Sequence, residues 1–81
     1  MRAIVQVRLK QGVLDPQGKA IEAALVSLGF TGVDSVRQGK LIEIELDQTD
    51  PDAARAEAER MAEALLANPV IETYSVELAG E

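Results

Sequence analysis

The chain has 81 residues, a formal net charge of −6, and neither cysteine nor histidine. Without those residue types there is no disulfide, thiolate metal site, cysteine nucleophile, or imidazole to move a proton at neutral pH. The acidic balance and the lone Tyr and lone Phe argue against nucleic acid, and no apolar run approaches the roughly 20 residues that span a bilayer.

Residues 2–10 alternate, with Ala3, Val5, Val7 and Leu9 on one face and Arg2, Gln6, Arg8 and Lys10 on the other; Ile4 is the exception. This period of two predicts a strand with one buried face. Residues 11–14 form a loop broken by Gly12. Asp15-Pro16 opens a helix, since Asp caps an N-terminus and Pro suits the first turn. Ile21, Ala24, Leu25 and Leu28 mark its apolar face, and Gly29 ends it as a left-handed cap that lets Phe30 fold back. Residues 33–37 are extended, and Gln38-Gly39 suits a two-residue turn. Residues 40–47 alternate again, with Ile42, Ile44 and Leu46 against Glu43, Glu45 and Asp47. Residues 33–37 either pair with this strand as a hairpin or join it as one bent strand with a bulge at Gly39.

Asp50-Pro51 opens a second helix running to about Ala67. Its expected buried stripe is Ala54, Ala58, Met61 and Leu65, with Arg55–Glu59 and Glu57–Arg60 paired on the exposed side. Asn68 and Pro69 stop it. Residues 71–78 form the last strand, with Tyr74, Val76 and Leu78 on one face, and residues 79–81 are expected to fray.

The order β-α-β(β)-α-β predicts one domain over residues 1–81. Its class is an α+β two-layer sandwich, a mainly antiparallel sheet with two helices on one face. Strand, Asp-Pro and helix recur at an offset of 35 residues, from Asp15 to Asp50, as in a split β-α-β arrangement. The other face sets Gln6, Arg8, Glu43 and Glu45 around Ile4 and offers a surface for a second copy. A core this small gains stability from association. The N-terminus lacks a signal-peptide pattern, so a cytoplasmic protein is expected.

Few residues carry chemistry. Gly12 and Gly18 flank the helix start but lack the Lys-Ser/Thr that follows a phosphate-binding loop. Glu43, Glu45 and Asp47 read as a solvated strand face. Gly18 is either a tolerated first-turn residue or a point where another backbone, or a partner, comes close. Val13 and Leu14 either cap the core or join a contact surface. Arg37, Gly39 and Lys40 place two cations around a turn, either pairing with nearby glutamates or facing an anionic partner.

Three segments resemble the PurS family. Residues 10–20, KQGVLDPQGKA, resemble its K-x-G-V-L-D-P-Q-G-x-A motif. Residues 36–40, VRQGK, resemble its V-R-x-G-K turn, and residues 65–72, LLANPVIE, its L-L-A-N-P-V-I-E segment. They fall in the family's order and the similarity covers nearly the whole chain.

The resemblance implies an accessory subunit of phosphoribosylformylglycinamidine (FGAM) synthase in purine synthesis, with no catalytic residue and no bound cofactor of its own. In that family a large synthetase subunit uses ATP and magnesium, and a glutaminase subunit supplies ammonia. Together they form a glutamine-hydrolysing carbon–nitrogen ligase. The small subunit, as a homodimer or tetramer, bridges the two and assists ammonia transfer. By the same resemblance, Asp15, Gln17, Gly18, Arg37, Gly39, Lys40, Asn68 and Pro69 are the expected interface residues. The competing expectation is a regulatory domain that senses an amino acid or nucleotide at a dimer interface. A small molecule alone would then raise the thermal midpoint of the isolated chain.

Overall fold

The alternating N-terminal segment forms the centre of the sheet. The structure is a computed structural model and describes residues 1–79. Residues 80 and 81, part of the tail expected to fray, lie outside the described residues. The elements are β1 (Arg2–Leu9), α1 (Pro16–Ser27), β2 (Gly39–Glu45), α2 (Pro51–Met61), a π-helical segment (Ala62–Leu66) and β3 (Glu72–Ala79). The sheet order is β2-β1-β3 and both pairings are antiparallel. Ala79 does not fray: it closes β3 opposite Arg2.

Register follows from the alternation. Ala3 stands between Ile44 and Leu78, Val5 between Ile42 and Val76, and Val7 between Lys40 and Tyr74. These rungs share one face, and α2 with its π-helical extension covers the β1 and β3 side of it. Ala54, Ala58 and Ala62 are wholly buried. Their small side chains let the helix backbone come close to the sheet, and Arg55 Nη1 donates to Val76 O at 2.7 Å, tying α2 to β3. The core is correspondingly thin: its largest fully buried side chains are Val5 and Val7.

The end of the second helix departs from the expected stripe. Ala67 N donates to Ala62 O at 2.9 Å, five residues back. This π turn inserts one residue and rotates the face that follows. Leu65 is therefore 84% exposed, while Ala62 and Ala67 are buried and Leu66 is partly buried against the core. The expected pairs Arg55–Glu59 and Glu57–Arg60 are not among the described ion pairs, which join Arg2 to Glu43, Lys19 to Glu22 and Lys40 to Glu72. Arg55 turns to the β3 carbonyl instead.

The middle segment is neither a hairpin nor one bent strand. β2 begins at Gly39, paired with Arg8, and residues 33–38 have no partner strand among the described residues. The reason is register. Beyond Leu9, β1 has left the sheet for a turn closed by Val13 N on Lys10 O at 3.1 Å, so no strand remains for them to pair with.

The antiparallel sheet with two helices stands as expected, with one difference in layering. No residue of α1 joins the core cluster, and α1 forms no packing interface with the sheet among the described residues. Its ends are well made. Asp15 caps the start. At the finish Gly29 has φ of 100°, Gly29 N bonds Val26 O at 3.0 Å and Phe30 N bonds Leu25 O at 3.1 Å. That pair is a Schellman close, and it turns the backbone of Phe30 back while its side chain stays largely exposed. With α1 projecting, the radius of gyration is 16.0 Å, against about 12 Å for a compact chain of this length.

Candidate functional site

The three motif segments, distant in sequence, meet at one pole of the sheet. Asp15 is the hub, and it is buried. Its Oδ1 accepts from Gly18 N at 2.9 Å, the N-cap bond of α1. Its Oδ2 accepts from Gln38 N at 2.7 Å, which ties the helix start to the segment entering β2. The Gln38 and Gly18 amides, helped by the charge of Arg37, hold the carboxyl below its ordinary range against the opposing effect of burial.

Glycine is required twice here. A Cβ on Gly18 would stand 2.5 Å from Val36 O and 2.8 Å from Asp15 Oδ2. The close approach is therefore real, and the backbone involved is the chain's own. A Cβ on Gly39 would stand 2.8 Å from Val7 O, so the first residue of β2 must be bare for the strand to reach β1.

Arg37 closes the assembly from outside. Its Nη1 donates to Val13 O at 3.0 Å and its Nη2 to Lys10 O at 3.2 Å. One planar guanidinium thus fixes two carbonyls of the loop before α1. On the other side Lys40 Nζ lies 3.7 Å from Glu72 Oε2, and Glu72 Oε1 accepts from Asn68 N at 2.6 Å. Asn68 in turn accepts from Val70 N through Oδ1 at 3.0 Å and from Glu72 N through its carbonyl at 2.7 Å. The turn after the second helix is thereby linked to Lys40. A cleft of about 180 Å³ opens between the segments, lined by Val7, Leu9, Asp15, Gln17, Lys40 and Glu72 among others. Beside it Arg8 and Arg37 border a second hollow of about 390 Å³.

Of the eight expected interface residues, Asp15, Gln17, Gly39 and Lys40 line the cleft, Gly18 lies beneath it, and Arg37 borders the adjoining hollow. Asn68 connects through Glu72, and Pro69 is exposed in the turn beyond. Arg37 does not pair with a glutamate: it binds backbone carbonyls. Lys40 does pair, with Glu72, as one sequence reading had it. Gln38, Glu72 and the carbonyls of Lys10 and Val13 were not nominated from sequence. The Gln38 contact is made by its amide, which no side chain betrays. Glu72 becomes a neighbour of Lys40 only because β1 separates β2 from β3.

Fold and site together define a small α+β protein whose loop, turn and helix end are locked into one polar, partly cationic surface. Residues 2–80 match the family described as PurS, phosphoribosylformylglycinamidine (FGAM) synthase. The chain is 51% identical over 75 residues to the phosphoribosylformylglycinamidine synthase subunit PurS of Mycobacterium leprae, covering 93% of this chain and 91% of that one. It is 46% identical over 74 residues to the Bacillus subtilis subunit, covering 91% and 87%. Methanocaldococcus jannaschii PurS is described as one of the subunits of formylglycinamide ribonucleotide amidotransferase in the purine biosynthetic pathway. Its structure superposes with a TM-score of 0.85 at 41% identity, over 94% of this chain and 92% of that one. A chain of the Thermotoga maritima PurLQS structure gives 0.85 at 32% identity, over 94% and 93%. The chain belongs to the PurS family.

Proposed function

We propose that this chain is the non-catalytic accessory subunit of an FGAM synthase in de novo purine biosynthesis. In that complex, formylglycinamide ribonucleotide, ATP, glutamine and water become the amidine, ADP, phosphate and glutamate. The chain joins the large synthetase subunit to the glutaminase subunit and helps carry ammonia between them. It works as a homodimer or tetramer in the cytoplasm. ATP and magnesium belong to the synthetase, and this chain binds no cofactor of its own.

The observation that carries the reading is the convergence of the three motif segments into one hydrogen-bonded pole. The pole contains no nucleophile of the cysteine or histidine type. Rigid loops presenting Gln17, Arg37 and Lys40 suit a partner contact, because little side-chain or loop order has to be imposed on binding. Half of the chain's eight Lys and Arg (Arg8, Lys10, Arg37 and Lys40) belong to this pole. In an acidic chain this is the region that best accepts a carboxylate-rich partner surface. The relative in the Thermotoga maritima PurLQS structure supports membership of a complex.

The test is glutamine-dependent amidine synthesis by purified synthetase and glutaminase, with and without this chain. Activity that depends on adding it is expected. Full activity without it would overturn the reading.

A further inference from the structure

The cations of this acidic chain are unevenly placed. It has 14 Asp and Glu against eight Lys and Arg. Arg2, Lys19 and Lys40 each have a carboxylate within ion-pair distance. Arg8, Lys10 and Arg37 have none among the described residues, and these three meet at the pole. Arg8 and Arg37 border the hollow of about 390 Å³, and Lys10 O accepts from Arg37 Nη2 at 3.2 Å. Like charges gathered without a carboxylate repel one another. In a chain with acid to spare, an anion from outside would relieve that repulsion.

The hollow is rich in donors. Leu9, Gln38 and Gly39 complete its lining, so it presents two guanidiniums and no carboxylate. Asp15 lines the neighbouring cleft instead, and its two oxygens are taken by the amides of Gly18 and Gln38. Arg37 is set by Val13 O and Lys10 O. Those bonds leave its Nε–H and the second N–H of each Nη for another acceptor. Arg8 gives one N–H to Gln6 Oε1 at 3.2 Å and keeps the others. An acidic protein surface would meet the exposed rim of such a pole. The hollow itself has the volume of a small-molecule site, about 300–1,000 Å³, and one inserted carboxylate side chain would leave most of it empty.

We propose that this hollow binds a small sugar phosphomonoester, its phosphate held between Arg8 and Arg37. A phosphate group carries three acceptor oxygens in a tetrahedral array, so two guanidinium forks can engage it from different directions. The paired edge of a carboxylate suits one fork. The rest of the lining fits the rest of the ligand. Leu9 gives an apolar wall, the Gln38 side-chain amide can donate to and accept from hydroxyls, and Gly39, with no side chain, leaves the floor open. The two arginines face one hollow because Arg8 pairs with Gly39 in the sheet, two residues after Arg37. The site belongs to this chain alone and does not rest on the accessory-subunit reading.

The test titrates the full, nitrogen-15-labelled chain with ribose 5-phosphate, inorganic phosphate, ribose and glutamate, at fixed pH and ionic strength, and follows the amide and arginine Nε–H resonances. Ribose 5-phosphate should give saturable shifts at Gln38, Gly39 and the side chains of Arg8 and Arg37 at millimolar concentration. Inorganic phosphate should bind more weakly, and ribose and glutamate should leave these signals in place. Arg8→Gln removes a guanidinium whose described bond is to Gln6 alone, and should weaken binding about tenfold or more, the scale of one charge-assisted hydrogen bond. Arg37→Lys keeps the charge, loses the fork and should do the same, so either variant serves if the other fails to fold. Arg60→Gln, on α2, should change nothing. No saturable shift overturns the proposal, as does an equal loss in Arg60→Gln, which would mean diffuse attraction. Glutamate acting as strongly as ribose 5-phosphate makes the hollow a protein contact and overturns it too. Inorganic phosphate binding as tightly as the sugar phosphate overturns the choice of ligand. The readout uses no partner subunit, so it stands or falls apart from the amidine assay.

Discussion

Replacing Gly18 by Ala sets two physical effects against each other. Gly18 lies in the first turns of α1, where Ala is the better helix former by about 1 kcal/mol. Propensity alone therefore predicts a more stable protein. The added Cβ would meet Val36 O at 2.5 Å, however, and ordinary contact begins at 3.4 Å. The obstacle is a backbone carbonyl, not the end of a flexible side chain. It must retreat by roughly 0.9 Å, and forced displacements of this kind cost about 1–3 kcal/mol. The shift also loosens Gln38 N from Asp15 Oδ2, two residues along. Counting about 1 kcal/mol for that hydrogen bond, sterics win by about 1–3 kcal/mol, a fall in Tm of about 4–24 °C for a chain this short. Thermal and urea unfolding followed by circular dichroism would measure it, at one fixed protein concentration because association couples to stability. Ala23→Gly, at an exposed position of α1, reports the propensity term separately, with a loss of about 1 kcal/mol. A Gly18→Ala protein more stable than the parent by about that amount would refute the close approach at Val36.

Arg37→Ala removes the tie to Val13 O and Lys10 O while leaving the sheet intact, so it should weaken assembly with the synthetase subunit without unfolding the chain; unchanged affinity in titration calorimetry would count against it. For Asp15 the sign follows from a folded-state pKa held below the ordinary 3.8, first by the Gln38 amide. Its contribution is complete above pH 3.8 and is lost as the pH falls below that value toward the folded-state pKa. Stability measured from pH 7 to pH 2 should thus drop less steeply below pH 4 in Asp15→Asn, and Asp15→Asn should be the less stable of the two at pH 7; parallel profiles would remove Asp15 as the hub. At the π turn, Leu65→Gln should change unfolding free energy by no more than about 0.5 kcal/mol, and Ala62→Leu should cost about 1–3 kcal/mol. The reverse order would mean that the α-helical phase continues through residue 65.

Much of this architecture was legible because it rests on local chemistry. The alternation of Ala3, Val5 and Val7 and of Ile42 and Ile44 marks the buried face without any knowledge of pairing. Both Asp-Pro helix starts and the Gly29 close carry their own capping chemistry. What escaped depends on tertiary context. The π turn at Ala62 serves the fit of Ala62 and Ala67 on the sheet, and an Ala- and Leu-rich run reads equally well in either phase. The unpaired segment before Gly39 escaped because its propensity is that of a strand, and only the departure of β1 after Leu9 deprives it of a partner. At the pole, Asp15 and Gly18 were recognisable as special but their partners were not. A carboxylate reaching an amide 23 residues away leaves no periodic trace.

The thin core and the projecting helix belong to one explanation. An Ala-lined interface between α2 and the sheet brings the backbones close but buries little apolar area. A chain of 81 residues has little stability to spare. The larger side chains that would ordinarily deepen such a core, Ile21, Val26, Leu28 and Phe30, stand instead on and just beyond α1, in contact with solvent. Fully burying side chains of this size is worth about 1.5–3 kcal/mol each, comparable in sum with the whole stability of a small domain. The root of the helix that bears them is fixed by a buried carboxylate, an obligatory glycine and a two-pronged arginine. The pole that aims α1 outward is also the pole that carries the family's three motifs, so a change at Asp15, Gly18 or Arg37 should be felt in self-association and in partner binding together.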